Sequence, residues 1–318
     1  MHDECVERDC KRWSHRQVNG VMVEGRKILI TGTTGRLGGT LCQHYRARHT
    51  LLMPPRAELD LSRPAEVSAF LRRLDFDLLI HAAAMGSPDA CERQPELASR
   101  VNTESSHQLA LHCEARGIPM IYISTDYVFG GQQDIALTEN CIAEPVCHYG
   151  RTKREAEIAV LEACSRALVA RVSWLFGTAG TFPDQILRQA QAGQPVAGIG
   201  DKWSVPTSMH DIAQWLEQLW LREAWDEKIL HLCNSGRATW QTYAQEVCDQ
   251  AWQAGLLSQP VSVEGNRLDD FTGFTAQRPR YSVMANDRLS HWIGAPIRSW
   301  QSALQAWVQG VVLLKNAR

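Results

Sequence analysis

The segment that decides the fold is KILITGTTGRLG, residues 27–38. A short apolar strand enters a turn with a glycine at every third position, and an amphipathic stretch over 36–48 predicts a helix after it. Gly32 permits the tight turn, Gly35 lets backbone approach a pyrophosphate, and Gly38 lets helix and strand pack closely. The start of the helix offers free N–H groups and a positive partial charge to phosphates. The segment therefore predicts a dinucleotide-binding site.

The chain after this segment alternates short apolar runs with longer amphipathic runs. Such alternation predicts a parallel sheet with helices on both faces, because right-handed crossovers place helices on either side. Further strands are predicted at 51–53, 77–81, 119–124 and 168–172, and helices at 64–74, 95–116 and 149–165. The predicted fold class is therefore α/β, a doubly wound parallel sheet of the Rossmann type.

Beyond Val172 the alternation is less regular, and Pro, Gly and Arg gather between the helical stretches. Helices are predicted at 182–192, 212–221, 240–254 and 299–308, with one more strand at 228–232. We expect a dinucleotide-binding domain over 27–172, with 207–233 returning to it. A smaller C-terminal substrate-binding lobe is expected to consist of 173–206 and 234–318. Residues 1–26 are rich in charge and are predicted to form a flexible leader.

Composition narrows the classes of protein to consider. The chain carries 33 basic and 35 acidic side chains, a formal net charge of −2, which argues against a dedicated nucleic-acid binder. No apolar run approaches the roughly 20 residues that cross a bilayer, and the leader lacks the apolar core of a signal peptide. The ten cysteines are scattered without a CxxC pair, and the eleven histidines show no metal-binding spacing. We expect a reduced, cytoplasmic protein without a metal, a membrane anchor or a nucleic-acid partner.

The second predicted strand bears on the choice of cofactor. It is followed by Pro54-Pro55-Arg56 and has no acid at its tip to accept the ribose hydroxyls of NAD. Arg56, together with Arg36, can pair with a 2′-phosphate, since a guanidinium suits that geometry. The alternative is that both arginines are solvated surface charges. We expect NADPH as the cofactor, with NADH as the alternative.

Three side chains point to acid–base chemistry. Tyr149 and Lys153 stand four positions apart in YGRTK, which places both on one face of a helix. A nearby ammonium lowers a phenol pKa that is ordinarily near 10, so Tyr149 would become a usable acid–base group. Thr125 ends a strand at the carboxyl edge of the sheet, where it can donate to a substrate carbonyl oxygen. The alternatives are an ordinary amphipathic helix and a strand-end cap.

These motifs together resemble the extended short-chain dehydrogenase/reductases, and among them the dTDP-4-dehydrorhamnose reductase family. The matching pieces, over about residues 27–294, are TGTTGRLG (31–38), HAAA (81–84), VN (101–102), STDYVF (124–129), YGRTK (149–153), RVSW (171–174), GDKWSVPT (200–207) and RP (278–279). The resemblance implies an NAD(P)H-dependent reductase of a carbonyl substrate. The substrate it implies is a 4-keto-6-deoxy nucleotide sugar for deoxysugar biosynthesis.

The resemblance also implies roles for individual residues. Thr125, Tyr149 and Lys153 would be the catalytic set; Lys153 would also hold the nicotinamide ribose, and Asn102 would support the active-site helix. The implied cofactor-binding residues are Gly32, Thr34, Gly35, Arg36, Leu37, Gly38, Arg56, Asp60, Leu61, Ala82, Ala83, Ala84, Asn102, Ser124, Tyr149, Lys153 and Ser173. The implied substrate-binding residues are Asp126, Trp174, Trp203 and Arg278, because tryptophan can stack on a base or sugar and arginine can bind a pyrophosphate.

Departures from the family pattern leave other functions open. The run AQRPR, residues 276–280, resembles the regulatory β subunit of methionine adenosyltransferase, so a non-catalytic NADP-binding subunit is one alternative. A reductase of a non-sugar ketone or imine is another. Thr40 stands where some members have a carboxylate that bridges a dimer through a metal, and a homodimer stays open.

Overall fold

The computed structural model describes residues 15–18, 21–131, 134–222 and 225–316. Two short strands within the predicted leader, β1 (His15–Val18) and β2 (Val21–Glu24), pair antiparallel. Residues 1–14 lie outside the described residues, so the expected flexibility of the leader stays a prediction.

Six strands form the central sheet. They are β3 (Lys27–Thr31), β4 (Thr50–Leu52), β5 (Leu78–His81), β6 (Met120–Thr125), β7 (Ala167–Val172) and β12 (Ile229–Leu232). Their order is β12–β7–β6–β5–β3–β4, and every neighbouring pair is parallel. The predicted doubly wound α/β fold is confirmed.

Helices cover both faces of this sheet. One face carries α1 (Arg36–Tyr45), α8 (Met209–Leu221) and α10 (Asp287–Ile293); the other carries α2 (Pro64–Leu71), α5 (Ser105–Ala115) and α6 (His148–Ala163). Alternate strand residues enter the two cores: Ile28 and Ile30 pack with the first group and Leu29 with the second. Because the strands are buried on both faces, they are nearly continuous apolar runs in the sequence.

The single helix predicted over 95–116 is interrupted in the structure. A π-helical turn, Arg100–Glu104, separates α4 (Pro95–Ser99) from α5. Such turns are often found at functional sites, and Asn102 inside this one is only 1% exposed. A short helix that the sequence did not predict, α3 (Pro88–Arg93), precedes it and is capped by the side chain of Ser87.

The smaller lobe consists of short elements beside the sheet. Its helices are α7 (Phe182–Gln191), α9 (Trp240–Gln253) and α11 (Trp300–Asn316). Its strands pair in twos: β8 (Leu175–Phe176) with β11 (Thr207–Ser208), β9 (Val196–Ile199) with β14 (Val263–Asn266), and β10 (Trp203–Ser204) with β13 (Ala238–Thr239). A separate apolar core around Phe176, Tyr243 and Trp300 holds these elements together. The helix predicted over 299–308 continues to Asn316, because Val311 and Val312 also pack on this core.

The chain leaves the sheet after β7 and re-enters it as α8 and β12. β12 pairs with β7 at the edge of the sheet. On the covering face, the Tyr45 hydroxyl of α1 donates to the Ala213 carbonyl of α8 at 2.7 Å, and Arg48 pairs with Glu217 at 2.9 Å. These contacts attach α8 and β12, which lie within residues 207–233, to the sheet and its helices.

Within the described ranges, no helix combines the length and apolar character needed to traverse a lipid bilayer. The same ranges hold no group of three or more His, Cys, Asp or Glu side chains that could bind a metal ion. The eight cysteines of the described part, from Cys42 to Cys248, are all unpaired.

Candidate active site

The glycine turn opens onto a cavity of about 410 Å³ at the carboxyl ends of β3, β4 and β5. β4 and β5 lie on opposite sides of β3, so the cavity occupies the switch point where doubly wound sheets bind ligands. The predicted cofactor residues that line it are Gly32, Thr34, Gly35, Arg56, Asp60, Leu61, Ala82, Ala83 and Ala84. The walls also include Thr33, Met85, Gln94, Leu97 and Val101, which were not among the predicted cofactor residues.

The turn leaves no room for a side chain at two of its glycines. Gly32 has a φ of 73°, and a Cβ there would lie 2.6 Å from the backbone of Ala83. A Cβ on Gly38 would meet the carbonyl of Gly32, so α1 packs directly on the turn. Gly35 is the N-cap of α1, and no side chain caps this helix. Its first N–H groups are therefore available to an anion, which fits the phosphates of a dinucleotide.

Two arginines stand near the rim of this cavity. The Arg56 side chain is 81% exposed, and its Nε lies 3.9 Å from Asp60 Oδ1. Asp60 also accepts the Ser62 N–H at 2.9 Å, and this hydrogen bond is the main reason that its pKa is lowered. Arg36 is exposed at the first position of α1. Both guanidinium groups are accessible to an added anion.

Several predicted cofactor residues lie inside the protein rather than on the cavity wall: Leu37, Gly38, Asn102, Ser124, Lys153 and Ser173. Leu37 belongs to the sheet core, and Gly38 packs against the turn. The Ser124 hydroxyl donates to Glu157 at 2.6 Å, and the Ser173 hydroxyl donates to Asp126 at 3.1 Å. Both serine side chains are thus held by protein partners, and a direct contact of either with the cofactor stays a prediction.

Thr125 and Tyr149 meet at the carboxyl end of β6. Thr125 is the last residue of that strand, and Tyr149 lies in the first turn of α6. The Thr125 side chain lies beside the Tyr149 phenol and donates its hydroxyl hydrogen to Asp126 Oδ1. The ring of Tyr127 packs edge-on against that of Tyr149 with centroids 5.6 Å apart. Burial raises the pKa of Tyr149, and the neighbouring Thr125 hydroxyl offsets this only in part. The phenol therefore keeps its proton at neutral pH.

Lys153 lies one turn further along α6 and is 2% exposed. Its Nζ donates to the Ile123 carbonyl of β6 at 2.7 Å and lies 4.0 Å from the centre of the Tyr122 ring. Burial lowers the pKa of Lys153 to about 7, while Glu157 acts in the opposite direction. The sequence predicted a lowered pKa for Tyr149, and that prediction is wrong for this structure. That pKa is raised, because burial outweighs the other influences.

Asn102 connects the cavity wall to α6. Its Oδ1 accepts from the Met85 N–H at 2.8 Å, and its Nδ2 donates to Thr152 Oγ1 at 3.0 Å. Thr152 Oγ1 in turn donates to the Tyr149 carbonyl at 2.9 Å. Asn102 thus holds a residue of the cavity and the first turn of α6 in one arrangement.

Asp126 is surrounded by hydroxyl groups. Its Oδ2 accepts from Ser173 at 3.1 Å, Ser204 at 2.9 Å and Ser282 at 2.7 Å. Its Oδ1 accepts from Thr125 at 3.1 Å. We call Asp126 with these three serines the serine–aspartate cluster. Because Ser204 and Ser282 belong to the lobe, Asp126 joins lobe and sheet in this structure. Its expected contact with the substrate stays a prediction.

Trp174 and Trp203 are half-buried in the lobe. Trp174 has a φ of 38°, a strained value for a residue with a side chain, and its ring packs against Trp240 and Tyr243 with centroids 5.8 and 4.9 Å apart. Trp203 is covered by the guanidinium of Arg237, 4.8 Å from its ring centre. Their contact with a substrate stays a prediction.

Arg278 is paired within the protein. Its Nη2 donates to Asp89 at 2.6 Å, its Nη1 donates to the Ala276 carbonyl at 3.0 Å, and its guanidinium stacks 4.2 Å from the centre of the Phe274 ring. With Phe274 it lines a second cavity of about 520 Å³ between the loop after β6 and the loop that carries the AQRPR run. The side chain therefore borders a space large enough for a ligand.

The structure adds site residues that the sequence did not identify. The ammonium of Lys202 is buried between the rings of Tyr127 and Trp240, 5.7 and 6.0 Å from their centres. Burial lowers the pKa of Lys202 to about 8, against the attraction of Asp126. Asp89 anchors the Arg278 loop from α3. Lys202 could have been identified from its place in the GDKWSVPT motif. No sequence pattern pointed to Asp89.

Comparisons with known proteins identify relatives of this chain. A family model described as the RmlD substrate binding domain matches residues 26–312. A probable dTDP-4,6-dihydroxy-2-methyloxan-3-one 4-ketoreductase from Streptomyces antibioticus is 32% identical over 287 residues, which cover 87% of this chain and 92% of that protein. The dTDP-4-dehydrorhamnose reductase of Escherichia coli is 29% identical over 285 residues, covering 86% and 94%.

A solved structure is also similar. The crystal structure of a dTDP-4-dehydrorhamnose reductase from Clostridium acetobutylicum superposes with a TM-score of 0.82 at 26% identity. The match covers 90% of this chain and 99% of that one, so the sheet and the lobe both have counterparts there.

Proposed function

The chain belongs to the dTDP-4-dehydrorhamnose reductase family, matched by the RmlD substrate binding domain, and on that premise we propose that it reduces the 4-keto group of a dTDP-linked 6-deoxy sugar with NADPH. The family consists of NAD(P)H-dependent reductases. The two curated relatives described above are named for dTDP-linked keto sugars, which supports this substrate class.

The observation that carries the proposal is the meeting of Thr125 and Tyr149 at the carboxyl end of β6. Lys153 lies on the same helix one turn later. Asn102 holds this helix to Met85, which lines the cavity of the glycine turn. A hydroxyl, a phenol and an ammonium are thus held close to a cavity suited to a dinucleotide.

Tyr149 is the proton donor in this proposal. Because burial raises its pKa, the phenol holds a proton that it can give as the carbonyl oxygen gains negative charge. NADPH, when bound, supplies the hydride. Thr125 turns its hydroxyl from Asp126 Oδ1 toward the same oxygen as a second donor. Lys153, whose ammonium donates to the Ile123 carbonyl, would hold the ribose hydroxyls of the cofactor.

The remaining assignments concern the cofactor and the setting of the reaction. The pyrophosphate would bind at the uncapped start of α1, and Arg56 would bind the 2′-phosphate. NADPH is therefore the preferred cofactor in this proposal. A cytoplasmic location and a homodimer stay predictions.

The test follows NADPH oxidation with a panel of dTDP-4-keto-6-deoxy sugars. We expect turnover by the wild-type protein. In Tyr149→Phe, kcat should fall by about 100-fold or more, since general acid catalysis contributes roughly 10²–10⁴-fold. Binding of NADPH, titrated by fluorescence, should stay unchanged. Tyr45→Phe is the matched control. Tyr45 is also a buried phenol, but it donates a hydrogen bond to the Ala213 carbonyl of α8 and does not line the cavity of the glycine turn.

Two outcomes would contradict the proposal. If Tyr149→Phe turned over as fast as the wild type, Tyr149 would not be the proton donor. If NADPH bound but no keto sugar of the panel was reduced, the non-catalytic NADP-binding subunit or a reductase of another ketone or imine would take its place.

A further inference from the structure

His81, at the end of β5, is a buried histidine that the proposed reaction does not use. It is 1% exposed, and both ring nitrogens have partners: Nδ1 lies 2.6 Å from Thr31 Oγ1, and Nε2 lies 2.9 Å from Ser106 Oγ. Burial, and to a smaller extent the charge of Lys153, lower the pKa of His81 to about 3. The ring is therefore neutral, with one nitrogen that donates and one that accepts.

Neighbouring groups fix the direction of these two hydrogen bonds. The Ser106 hydroxyl donates to the Asn102 carbonyl at 2.6 Å, so its oxygen accepts the hydrogen on His81 Nε2. Nδ1 is then the acceptor, and Thr31 donates its hydroxyl hydrogen to it. The Thr31 oxygen in turn accepts the Ala83 N–H at 3.2 Å. Both hydroxyl groups in this row donate one hydrogen bond and accept one.

The two ends of the row lie in different parts of the proposed site. Ala83 and Thr31 line the cavity at the glycine turn. At the other end, Asn102 binds Thr152, which donates to the Tyr149 carbonyl. We call the whole row the histidine relay; its members are Ala83, Thr31, His81, Ser106 and Asn102.

We propose that His81, as the neutral tautomer protonated at Nε2, is a positioning residue that couples the cofactor wall at Ala83 to the helix that carries Tyr149. The inference rests on the proposed function, because the coupling matters only where cofactor and Tyr149 act together. Hydrogen bonds in a buried chain strengthen one another, and a buried member left without its partner is costly. A defect at one end of the relay therefore disturbs the geometry at the other.

The experiment breaks the relay near each end and measures the effect at the opposite end. Ser106→Ala leaves the cavity wall intact and removes the acceptor of His81 Nε2–H; we expect about fivefold weaker NADPH binding. Thr31→Val keeps the branched shape and removes the donor to Nδ1; we expect about a fivefold lower kcat with substrate and NADPH both saturating. A role confined to local structure would leave each distant readout unchanged.

Ser235→Ala is the matched control in the lobe. Its hydroxyl likewise donates to a backbone carbonyl, that of Ile297 at 2.7 Å, and accepts from Asn286 Nδ2 at 3.1 Å. We expect this variant to bind NADPH and to turn over as the wild type does.

The tautomer is read directly by nitrogen NMR of histidine-labelled protein. We expect His81 to be protonated at Nε2 alone and not to titrate near neutral pH. A proton on Nδ1, or wild-type NADPH affinity in Ser106→Ala, would overturn the proposal. Neither readout needs a substrate, so both test the relay even if no keto sugar is reduced, whereas the proposed function fails on turnover alone.

Discussion

Replacing Asp126 by alanine removes the acceptor shared by the serine–aspartate cluster. Three serine hydroxyls lose their bond to Oδ2, and Thr125 loses its bond to Oδ1. Each hydrogen bond to a charged group contributes roughly 1.5–3 kcal/mol. Part of the loss is recovered, because Ser173 and Ser204 are already 2.8 Å apart and can bond each other. We expect Asp126→Ala to lower the free energy of unfolding by about 4 kcal/mol.

Two milder variants should lower the free energy of unfolding by smaller amounts. Asp126→Asn keeps an oxygen that accepts from the serines but loses the charge, and should cost about 1–2 kcal/mol. Ser282→Ala removes a single donor and should cost about the same. Asp134→Ala is the control, since that side chain is 83% exposed in a surface pair with Arg237, and should change stability by less than about 0.5 kcal/mol.

Urea denaturation followed by tryptophan fluorescence measures all four variants. Because Ser204 and Ser282 reach Asp126 from the lobe, the milder variants should also raise the KM for the sugar more than the KM for NADPH. If Asp126→Ala unfolded at the same urea concentration as the wild type, the cluster would not join lobe to sheet and the reasoning would be refuted. Should that variant fail to fold, the two milder ones still carry the comparison.

Arg56→Ala should raise the KM for NADPH about tenfold and leave the KM for NADH unchanged, because the guanidinium would contact only the 2′-phosphate. Steady-state kinetics with both cofactors measures this, and an equal change for both would contradict it. Burial lowers the pKa of Lys153 from 10.5 to about 7, so the folded protein is destabilised most below pH 7 and progressively less as pH rises toward 10.5. The unfolding free energy of the wild type relative to Lys153→Met should therefore increase with pH across that window in urea titrations; a constant difference would mean that burial does not lower the pKa of Lys153.

The strands of the sheet could be predicted to within one residue at either end. Strands buried on both faces are almost wholly apolar, as in β3, so the sequence marks them clearly. The interruption of the 95–116 helix could not be predicted in this way. The π turn at Arg100–Glu104 is accompanied by contacts of Asn102 with Met85 and Thr152, which are distant in sequence.

The candidate site likewise contains residues that the sequence could predict and contacts that it could not. Residues that line the glycine-turn cavity follow from topology, because parallel strands end at one edge of the sheet. The partners of Asp126 could not be predicted in this way, because Ser173 lies 47 positions away in the sequence and Ser282 lies 156 positions away. The direction of the Tyr149 pKa shift also depended on burial, which a spacing of four residues to Lys153 does not reveal.

β12 joins the central sheet only after the chain has formed the first part of the lobe, residues 173–206. This order limits how the protein could acquire another substrate preference. A chain cut at residue 206 would lack the edge strand and leave β7 unpaired on one side, whereas a chain cut after β12 would lack Ser282. Grafting the lobe of a relative would consequently need three junctions, one before residue 173 and one on each side of 207–233. A new substrate specificity would therefore require both lobe segments, 173–206 and 234–318, from the same relative. Recombination at a single point between them would separate the two.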